Sequence, residues 1–192
     1  MTNSNHDAGY LSSTDLEKFK NIGRNCAISE NSSFYGAENI SIGSNVRIDD
    51  FVVITAVGGF INIGDYVHIA SHSYLNAAGG IEMSDYSGIS HGVRVYSSSD
   101  DYSGESLTNP TIPIQFRNVK KKLVRLGRHV IIGSNSVILP GVEIGEGAAI
   151  GAMTLVHKSL ESWNIYSGIP ARKIKQRDKK LLELEIEFKN SN

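Results

Sequence analysis

The stretch IGSNVRIDDFVVITAVGGFINIGDYVHIASHSYL, residues 42–75, decides the fold class, because an aliphatic residue returns at every sixth position of each block within it. A period of six is neither the period of a helix nor that of an alternating strand. It is typical of a β-helix, in which each repeat supplies a short strand and a turn, and three repeats complete one coil. Stacked coils then share a core that one coil cannot bury by itself. The repeating positions are Ile42, Ile48, Ile54, Ile63, Ile69 and Leu75.

The same pattern extends in both directions from this stretch. Blocks begin at Ile22, Ile42, Ile63 and Met83, and the pattern resumes at Leu126. The first three intervals are 20, 21 and 20 residues, longer than three hexads, and the extra residues always follow the third hexad. One corner of the coil is therefore predicted to bulge. After the fourth block the same corner is predicted to open into a loop of residues 96–124, and so long a loop in a solenoid favours a functional role over a tolerated insertion.

These features predict an all-β solenoid, a parallel β-helix of hexapeptide repeats at residues 22–174 with a long loop extruded from one corner. Residues 1–21 form the predicted N-terminal segment, with a short helix in which Thr14 and Glu17 have the spacing of a capping box. Residues 175–192 form the predicted C-terminal helical tail. Its amphipathic part, Arg177 to Lys189, is expected to cap the open end of the core, with a role as a partner helix as the alternative.

Composition excludes several classes of protein. The net charge of −1 gives no overall attraction to nucleic acid or to an anionic membrane. The single cysteine, Cys26, cannot form an internal disulfide. The chain shows neither a signal peptide nor an apolar run long enough to span a bilayer. We therefore expect a cytoplasmic protein without membrane insertion.

The most specific motif lies near the end of the chain. IGSNSVILPGVEIGEGAAIGAMTLVHKSL at 132–160, followed by SGIPARKI at 167–174, resembles the closing coils and the G-x-P-[AC]-[RK] segment of the hexapeptide-repeat left-handed β-helix acyltransferases. Bacterial sugar O- and N-acetyltransferases are the most similar members. The resemblance implies a left-handed coil, acetyl-CoA as co-substrate, and a homotrimer with active sites between subunits. Flat-sided prisms are well suited to bury repeated faces around a threefold axis.

Pantetheine is narrow and rich in amides, so it needs small side chains and accessible backbone groups. In the resembling enzymes the backbone at the positions of Ser134 and Ala152 contacts it. Cations near the end of the chain are expected to meet the phosphates of CoA, with ordinary surface charge as the alternative. The residues expected to contact acetyl-CoA are Gly133, Ser134, Gly151, Ala152, His157, Lys158, Arg172 and Lys173.

Acetyl transfer needs a base, a donor to the oxyanion and alignment of the reactants. Several resembling O-acetyltransferases carry a catalytic histidine where this chain has Asp100, and an acceptor-facing asparagine where it has His72. We predict His72 as the general base, with Asp100 or Asp101 orienting its ring or holding the acceptor. His91, in the next coil at the same corner, is the second choice.

The neighbouring polar residues have weaker assignments. Tyr74 and Asn76 are expected to bind sugar hydroxyls, although turn formation and packing are equally open. The basic run Arg117–Arg125 is either a contact for the phosphates of a nucleotide sugar or a solvated face. His68 is expected on an outward strand flank, and His129 on the surface.

The predicted function is acetylation of a sugar hydroxyl, in a role expected within surface polysaccharide biosynthesis. The alternative is N-acetylation of a nucleotide-linked amino sugar, because an amine needs less help from a base than a hydroxyl does. A remote alternative is a zinc hydratase of the β-helix type that uses His68, His72 and His91. Their spacing matches that family poorly, so no metal is predicted.

Overall fold

The computed structural model describes residues 9–191 and builds them into a prism of short strands. Each coil gives one strand to each of three parallel sheets, which we call the first, second and third sheet in the order that the chain visits them. The first and third sheets contain six strands each and the second contains eight. The first eight residues of the predicted N-terminal segment, and residue 192 of the predicted tail, lie outside the described range.

The strands follow the chain coil by coil. The coils before the loop are β1 (Asn21–Ile22), β2 (Ala27–Ile28), β3 (Ser33–Tyr35); β4 (Ile40–Ile42), β5 (Arg47–Ile48), β6 (Val53–Thr55); β7 (Ile61–Ile63), β8 (His68–Ile69), β9 (Tyr74–Asn76); and β10 (Ile81–Met83), β11 (Gly88–Ile89), β12 (Arg94–Tyr96). The loop holds β13 (Ser98–Ser99) and β14 (Lys120–Lys121). After it come β15 (Val124–Leu126), β16 (Ile131–Ile132), β17 (Val137–Ile138); β18 (Glu143–Ile144), β19 (Ala149–Ile150), β20 (Leu155–Val156); and the antiparallel pair β21 (Asn164–Ser167) and β22 (Arg172–Gln176).

The hexad positions form the core, as the sequence predicts. The repeating aliphatic residues of residues 42–95 are at most 4% exposed. The parallel register places equivalent positions of successive coils next to each other. Ile42 lies beside Ile63, and Ile63 lies beside Met83. Burying a full aliphatic side chain contributes about 1.5–3 kcal/mol, which makes this column the main source of cohesion between coils. The predicted all-β solenoid is confirmed.

Three edges run along the prism where the sheets meet, and turn residues with positive φ recur on them. The edge between the first and second sheets, which we call the helix-covered edge, carries Asn45, Tyr66, Tyr86, His129 and Trp163. The edge between the second and third sheets, the histidine edge, carries Phe51, His72, Gly92, Asn135 and Met153. The edge between the third and first sheets, the loop edge, carries Gly36, Gly58, Gly80 and Gly141.

The C-terminal helix α2 (Leu181–Asn190) covers the helix-covered edge. Tyr66 and Tyr86 stack there at 5.0 Å, and Tyr86 and His129 stack at 5.1 Å. Phe188 of α2 meets the ring of Tyr66, and the carboxylate of Glu185 lies 2.7 Å from Nε2 of His129. The prediction that this tail caps the open end of the core is therefore wrong, because the helix packs on the stacked rings along the side of the prism.

His129 is buried rather than on the surface, which corrects the sequence prediction. It is 9% exposed, and its partner Glu185 also receives hydrogen bonds from Arg128 and Lys189. Burial lowers the pKa of His129, and the nearby cation Arg128 acts in the same direction. The neutral ring therefore donates its Nε2–H to the carboxylate, and this contact fixes α2 on the prism.

At the other end, the first helix is α1 (Ser13–Leu16), shorter than the sequence suggests. The capping box predicted at Thr14 and Glu17 is wrong. Ser12 is the N-cap instead, because its hydroxyl accepts from the backbone N–H of Asp15, two residues before the predicted pair. Neither helix within residues 9–191 is long and apolar enough to cross a membrane.

The long loop leaves the loop edge between β12 and β15, as predicted. β13 and β14 pair antiparallel as a neck, and the chain then rejoins the first sheet with Ile81 beside Val124. At the end of the chain, β22 extends to Gln176 and so crosses the predicted boundary at residue 174.

Candidate active site

The loop and the third sheet enclose a cleft of about 720 Å³ at the loop edge. Its walls combine polar and apolar side chains. They include Asn76, Tyr96, Asp100, Tyr102, Arg117 and Leu139. A cleft with few polar groups on a partly apolar wall is the usual form of a small-molecule site, so this is the best candidate within residues 9–191 for the acceptor.

Asp100 enters the cleft from the root of the loop. Its carboxylate accepts a hydrogen bond from the backbone N–H of Asn109 at 3.3 Å, which ties it to the far side of the loop. Asn109 has a φ of 76°, a left-handed conformation that asparagine tolerates better than most residues. The second carboxylate oxygen has no hydrogen-bond partner within residues 9–191.

Asp101 points into the loop itself and is 3% exposed. Its carboxylate accepts from the N–H and hydroxyl of Ser103 at 2.9 and 2.7 Å, and from the hydroxyl of Ser106 at 2.7 Å. These hydrogen bonds hold the pKa of Asp101 well below its usual range. Both oxygens of this carboxylate therefore accept hydrogen bonds within the loop, and neither is available to contact an acceptor.

Asn76 stands at the base of the cleft, and its side-chain carbonyl accepts from Ala78 N–H and from the hydroxyl of Ser98. Tyr74 lies on the same strand, β9, two residues toward the histidine edge. Burial raises the pKa of Tyr74, and neighbouring Tyr96 adds to the effect, so its phenol stays protonated. Of these two predicted sugar-binding residues, Asn76 lines the cleft and Tyr74 does not.

His72 and His91 lie together on the histidine edge, one coil apart, as the sequence predicts. Phe51 stacks on the ring of His72 at 5.2 Å, and Arg94 donates to the backbone carbonyl of His72 at 3.0 Å. Both histidines precede the third sheet, whereas Asp100 follows it. Within one chain the structure therefore does not bring His72 and Asp100 into one pocket.

The small residues predicted to contact acetyl-CoA continue the histidine edge into the next two coils. Ser134 and Met153 are linked through the backbone at 2.8 Å, which stacks their turns. A Cβ on Gly133 would come within 2.5 Å of the backbone nitrogen of Ala152, so only glycine fits there. Gly133, Ser134, Gly151 and Ala152 thus form one row of small residues, in which Ala152 is exposed and the other three are half-buried. This row leads toward His91.

The predicted phosphate contacts are spread more widely. His157 and Lys158 follow β20 and are exposed near the loop edge, and Arg172 and Lys173 lie on the exposed strand β22. Lys173 is 3.8 Å from the carboxylate of Glu161. The structure does not gather these four residues into one cluster.

The remaining predicted histidine is paired elsewhere. Nε2 of His68 lies 2.9 Å from Asp49, which also accepts from Arg47 at 2.6 Å, on the outward face of the second sheet. Within residues 9–191 no group of three or more His, Cys, Asp or Glu has the arrangement of a metal site. Within this chain His68 therefore lies apart from His72 and His91.

The sequence assigns no separate role to Arg117, which lines the cleft, or to Asn109, which bonds to Asp100 beside it. Arg117 donates to the carbonyl of Asn109 at 3.4 Å, so that one residue links it to Asp100. The loop has no repeat to indicate which side chains turn inward. The one available signal was the position of Arg117 at the start of the basic run.

Comparison with known proteins adds to this geometry. Residues 124–158 match the bacterial transferase hexapeptide (six repeats). Over 184 residues, 95% of this chain and 96% of the other, the chain is 48% identical to an Escherichia coli protein named dTDP-4-amino-4,6-dideoxy-D-glucose acyltransferase. The chain belongs to the bacterial hexapeptide-repeat transferases. The solenoid is therefore the left-handed parallel β-helix that the resemblance implied, and the protein is an acyltransferase.

Solved structures of this transferase family agree. AntD, an N-acyltransferase from Bacillus cereus, was crystallised with dTDP and 3-hydroxybutyryl-CoA; it is 48% identical, with a TM-score of 0.89 over 95% of this chain and 97% of that one. A variant of AntD in which one serine is replaced by cysteine was crystallised with dTDP-4-amino-4,6-dideoxyglucose and coenzyme A. A more distant E. coli K12 relative, 28% identical over 79% of this chain and 76% of the other, is named provisionally as a lipopolysaccharide O-acetyltransferase.

Proposed function

We propose that this protein transfers an acyl group from a coenzyme A thioester to the amino group of a nucleotide-linked amino sugar. The observation that carries the proposal is the carboxylate of Asp100 in the cleft, at the position where a histidine would serve a hydroxyl. Similarity to dTDP-amino-sugar N-acyltransferases over almost the whole chain supports it. The comparisons thus favour the alternative of the sequence analysis over acetylation of a hydroxyl.

The chemistry suits a carboxylate. The amine lone pair attacks the thioester carbon, the carbonyl oxygen becomes negative, and the nitrogen becomes positive. The N–H is now acidic enough for Asp100 to accept its proton, although a carboxylate is a weak base toward a hydroxyl. The C–S bond then breaks, the amide forms, and the sulfur of coenzyme A leaves as a thiolate that takes up a proton.

Ser90 is a further candidate for this reaction. Some of the solved AntD variants replace one serine, and others replace the aspartate that lies ten positions after it. In this chain Ser90 and Asp100 are the only serine and aspartate with that order and spacing. Ser90 follows β11 on the histidine edge, beside His91. Its hydroxyl is proposed to donate to the negative oxygen formed from the thioester.

A homotrimer would bring these groups together. A threefold interface joins different faces of neighbouring subunits, so the histidine edge of one copy is able to meet the cleft of the next. The apolar residues near that edge support such contact, since Ile131 is 48% exposed and Met153 is 65% exposed. The outward row of the first sheet, by contrast, carries Ser41, Asn62 and Glu82. We propose that acyl-CoA lies between subunits along the glycine row.

The proposal is tested by following coenzyme A release from acetyl-CoA and 3-hydroxybutyryl-CoA with two sets of acceptors. We expect turnover with dTDP-4-amino-4,6-dideoxyglucose and little with plain sugars of the same size. Asp100→Asn serves as the inactive control. Efficient turnover with plain sugars and none with the amino sugar would replace this proposal with hydroxyl acetylation.

A further inference from the structure

The basic run Arg117–Arg125 divides into side chains with different partners. Arg125 donates to Glu82 at 2.9 Å on the outer face of the first sheet. Lys121 donates to the carbonyl of Gly58 at 3.1 Å, and the methylenes of Lys122 lie over Gly141. Only Arg117 among these four lines the cleft. The run is therefore not a uniform solvated face.

The backbone of Arg117 is fixed while its side chain is poorly satisfied. Its N–H donates to the carbonyl of Ile114, which ends a short 3₁₀ turn, and the residue forms a β-bridge with Leu107. Its Nε is buried and has no hydrogen-bond partner among the described residues. A buried donor without an acceptor costs about 1–3 kcal/mol, so a site of this kind favours a ligand that supplies one.

The position of Arg117 relative to Asp100 limits what that ligand is. Asn109 accepts from Arg117 through its carbonyl and donates to Asp100 through its N–H. The two charged groups are thus at most about 10 Å apart along these bonds. A ligand that satisfies both is cationic at one end and anionic at the other, with a single ring between them. A hexopyranose with an amine at C4 and a diphosphate at C1 has this form, because C1 and C4 are opposite each other.

We propose that Arg117 binds the diphosphate of the acceptor, and that this contact makes the enzyme select nucleoside-diphosphate amino sugars over free amino sugars. The inference rests on the proposed N-acyl transfer and adds the group that recognises the nucleotide half. A guanidinium suits this role because its planar fork donates two parallel hydrogen bonds to phosphate oxygens. Tyr102, 94% exposed at the rim of the cleft, offers a ring to the base beyond the diphosphate.

The test measures the binding of thymidine 5′-diphosphate to the full-length protein, saturated with coenzyme A, by titration calorimetry. Arg117→Gln is expected to weaken binding about tenfold or more, the loss of a charged hydrogen bond. Arg117→Lys, which keeps the charge and loses the fork, is expected to fall between Arg117→Gln and the unaltered protein. The matched control Arg125→Gln, from the other end of the same run, should stay within about twofold.

Kinetics then separate a binding role from a structural one. Arg117→Gln should lower kcat/KM for the nucleotide-linked amino sugar, chiefly through KM, and by a much larger factor than it lowers kcat/KM for the free amino sugar. An equal loss on both acceptors, or diphosphate binding as tight as in the unaltered protein, would overturn the inference. If Arg117→Gln does not fold, the same comparison is made with Arg117→Lys, whose unchanged KM would overturn it as well.

Failure of the proposed function gives a different result. In that case the unaltered protein transfers no acyl group to any nucleotide-linked amino sugar, yet thymidine diphosphate still binds in an Arg117-dependent way. The diphosphate site would then stand while N-acyl transfer would not. Turnover by the unaltered protein combined with Arg117-independent binding is the converse result, and it refutes only the inference.

Discussion

The helix-covered edge and the loop edge belong to the same coils, yet one is closed by side chains and the other is open. At the helix-covered edge the turns carry Tyr66, Tyr86 and His129, whose rings stack from coil to coil beneath α2. At the loop edge the turns carry glycines, and the chain leaves the prism to form a cleft. The difference separates the part of the molecule that stabilises the solenoid from the part that meets a substrate.

The size of the turn residue accounts for much of this contrast. At the helix-covered edge Tyr66, Tyr86 and His129 occupy left-handed turn positions, and their rings gain stacking in exchange for an unfavourable φ. At the loop edge a Cβ on Gly80 would come within 2.8 Å of the ring of Phe60. Because glycine has no side chain, the turns at this edge do not protrude from the prism. The neck of the loop occupies the space next to them.

The largest effect is expected when the carboxylate of Asp100, at the loop edge, is removed. Asp100→Asn keeps the shape and the hydrogen bond from Asn109 but cannot accept the amine proton. We expect kcat/KM to fall about 10³-fold, in the range of a lost acid–base group. The thermal midpoint should be unchanged, and Glu82→Gln on the first sheet is the matched control. Full turnover by Asp100→Asn would remove this residue from the chemistry.

At the helix-covered edge the matching change affects stability instead. Glu185→Ala leaves Arg128 and His129 without their shared partner, and we expect about 3 kcal/mol less free energy of unfolding in denaturant titration. Turnover at 25 °C should persist. Glu183→Ala, exposed on the same helix, should have little effect. A large loss of turnover in a folded Glu185→Ala protein would mean that the two edges are not separate.

A backbone change tests the same edge without altering charge. Gly147 has a φ of +67°, and a Cβ there would come within 2.5 Å of the ring of Trp163. Gly147→Ala should therefore lower the free energy of unfolding by about 2 kcal/mol through strain and overpacking. Calorimetric melting of the variant provides the measurement. An unchanged midpoint would show that the Trp163 ring moves freely.

The histidine edge provides an intermediate case. His72 is stacked on Phe51 and is separated from the cleft by the third sheet. In the proposed trimer the histidine edge of one copy meets the cleft of the next, where His72 would contact the reactants without taking the proton. We therefore expect His72→Ala to lower kcat about tenfold, with the effect measured from the pH–rate profile. If kcat falls as far as in Asp100→Asn and the acidic limb of the profile moves, the imidazole is the base.

The smallest expected effect is a loss of loop stability at low pH. Hydrogen bonds from Ser103 and Ser106 lower the pKa of Asp101, so the folded protein binds its proton less readily than the unfolded chain does. Its contribution is present above the unfolded pKa of about 3.9 and is lost as the pH falls through the lower folded value. Hydrogen exchange in residues 97–123 should increase over that range. Asp101→Asn should remove the pH dependence, and an unchanged dependence would contradict the assignment.

The hexad repeat made the solenoid and its bulging corner predictable, because every sixth residue reports directly on burial. The position of α2 was not predictable, since it depends on rings of Tyr66, Tyr86 and His129 that are far apart in the sequence. The same count also separates His72 from Asp100. His72 follows the second hexad of its coil and Asp100 follows the third, which already puts them on different edges.

Within the loop the sequence offers no period, so neither the buried carboxylate of Asp101 nor the inward turn of Arg117 was visible. Adjacent aspartates look equivalent in a Ser/Asp-rich stretch. What distinguishes them is the set of hydroxyls that the folded loop brings to one of them. That arrangement depends on contacts within the loop and not on the residue types alone.

The neck of the loop has a consequence for the evolution of the fold. β13 and β14 bring the chain back so that Ile81 lies beside Val124, as if nothing had been inserted. The stacking of coils therefore does not depend on what the neck carries between residues 99 and 120. The segment is an exchangeable cassette: a different loop on the same neck would give a new acceptor preference to an unchanged scaffold.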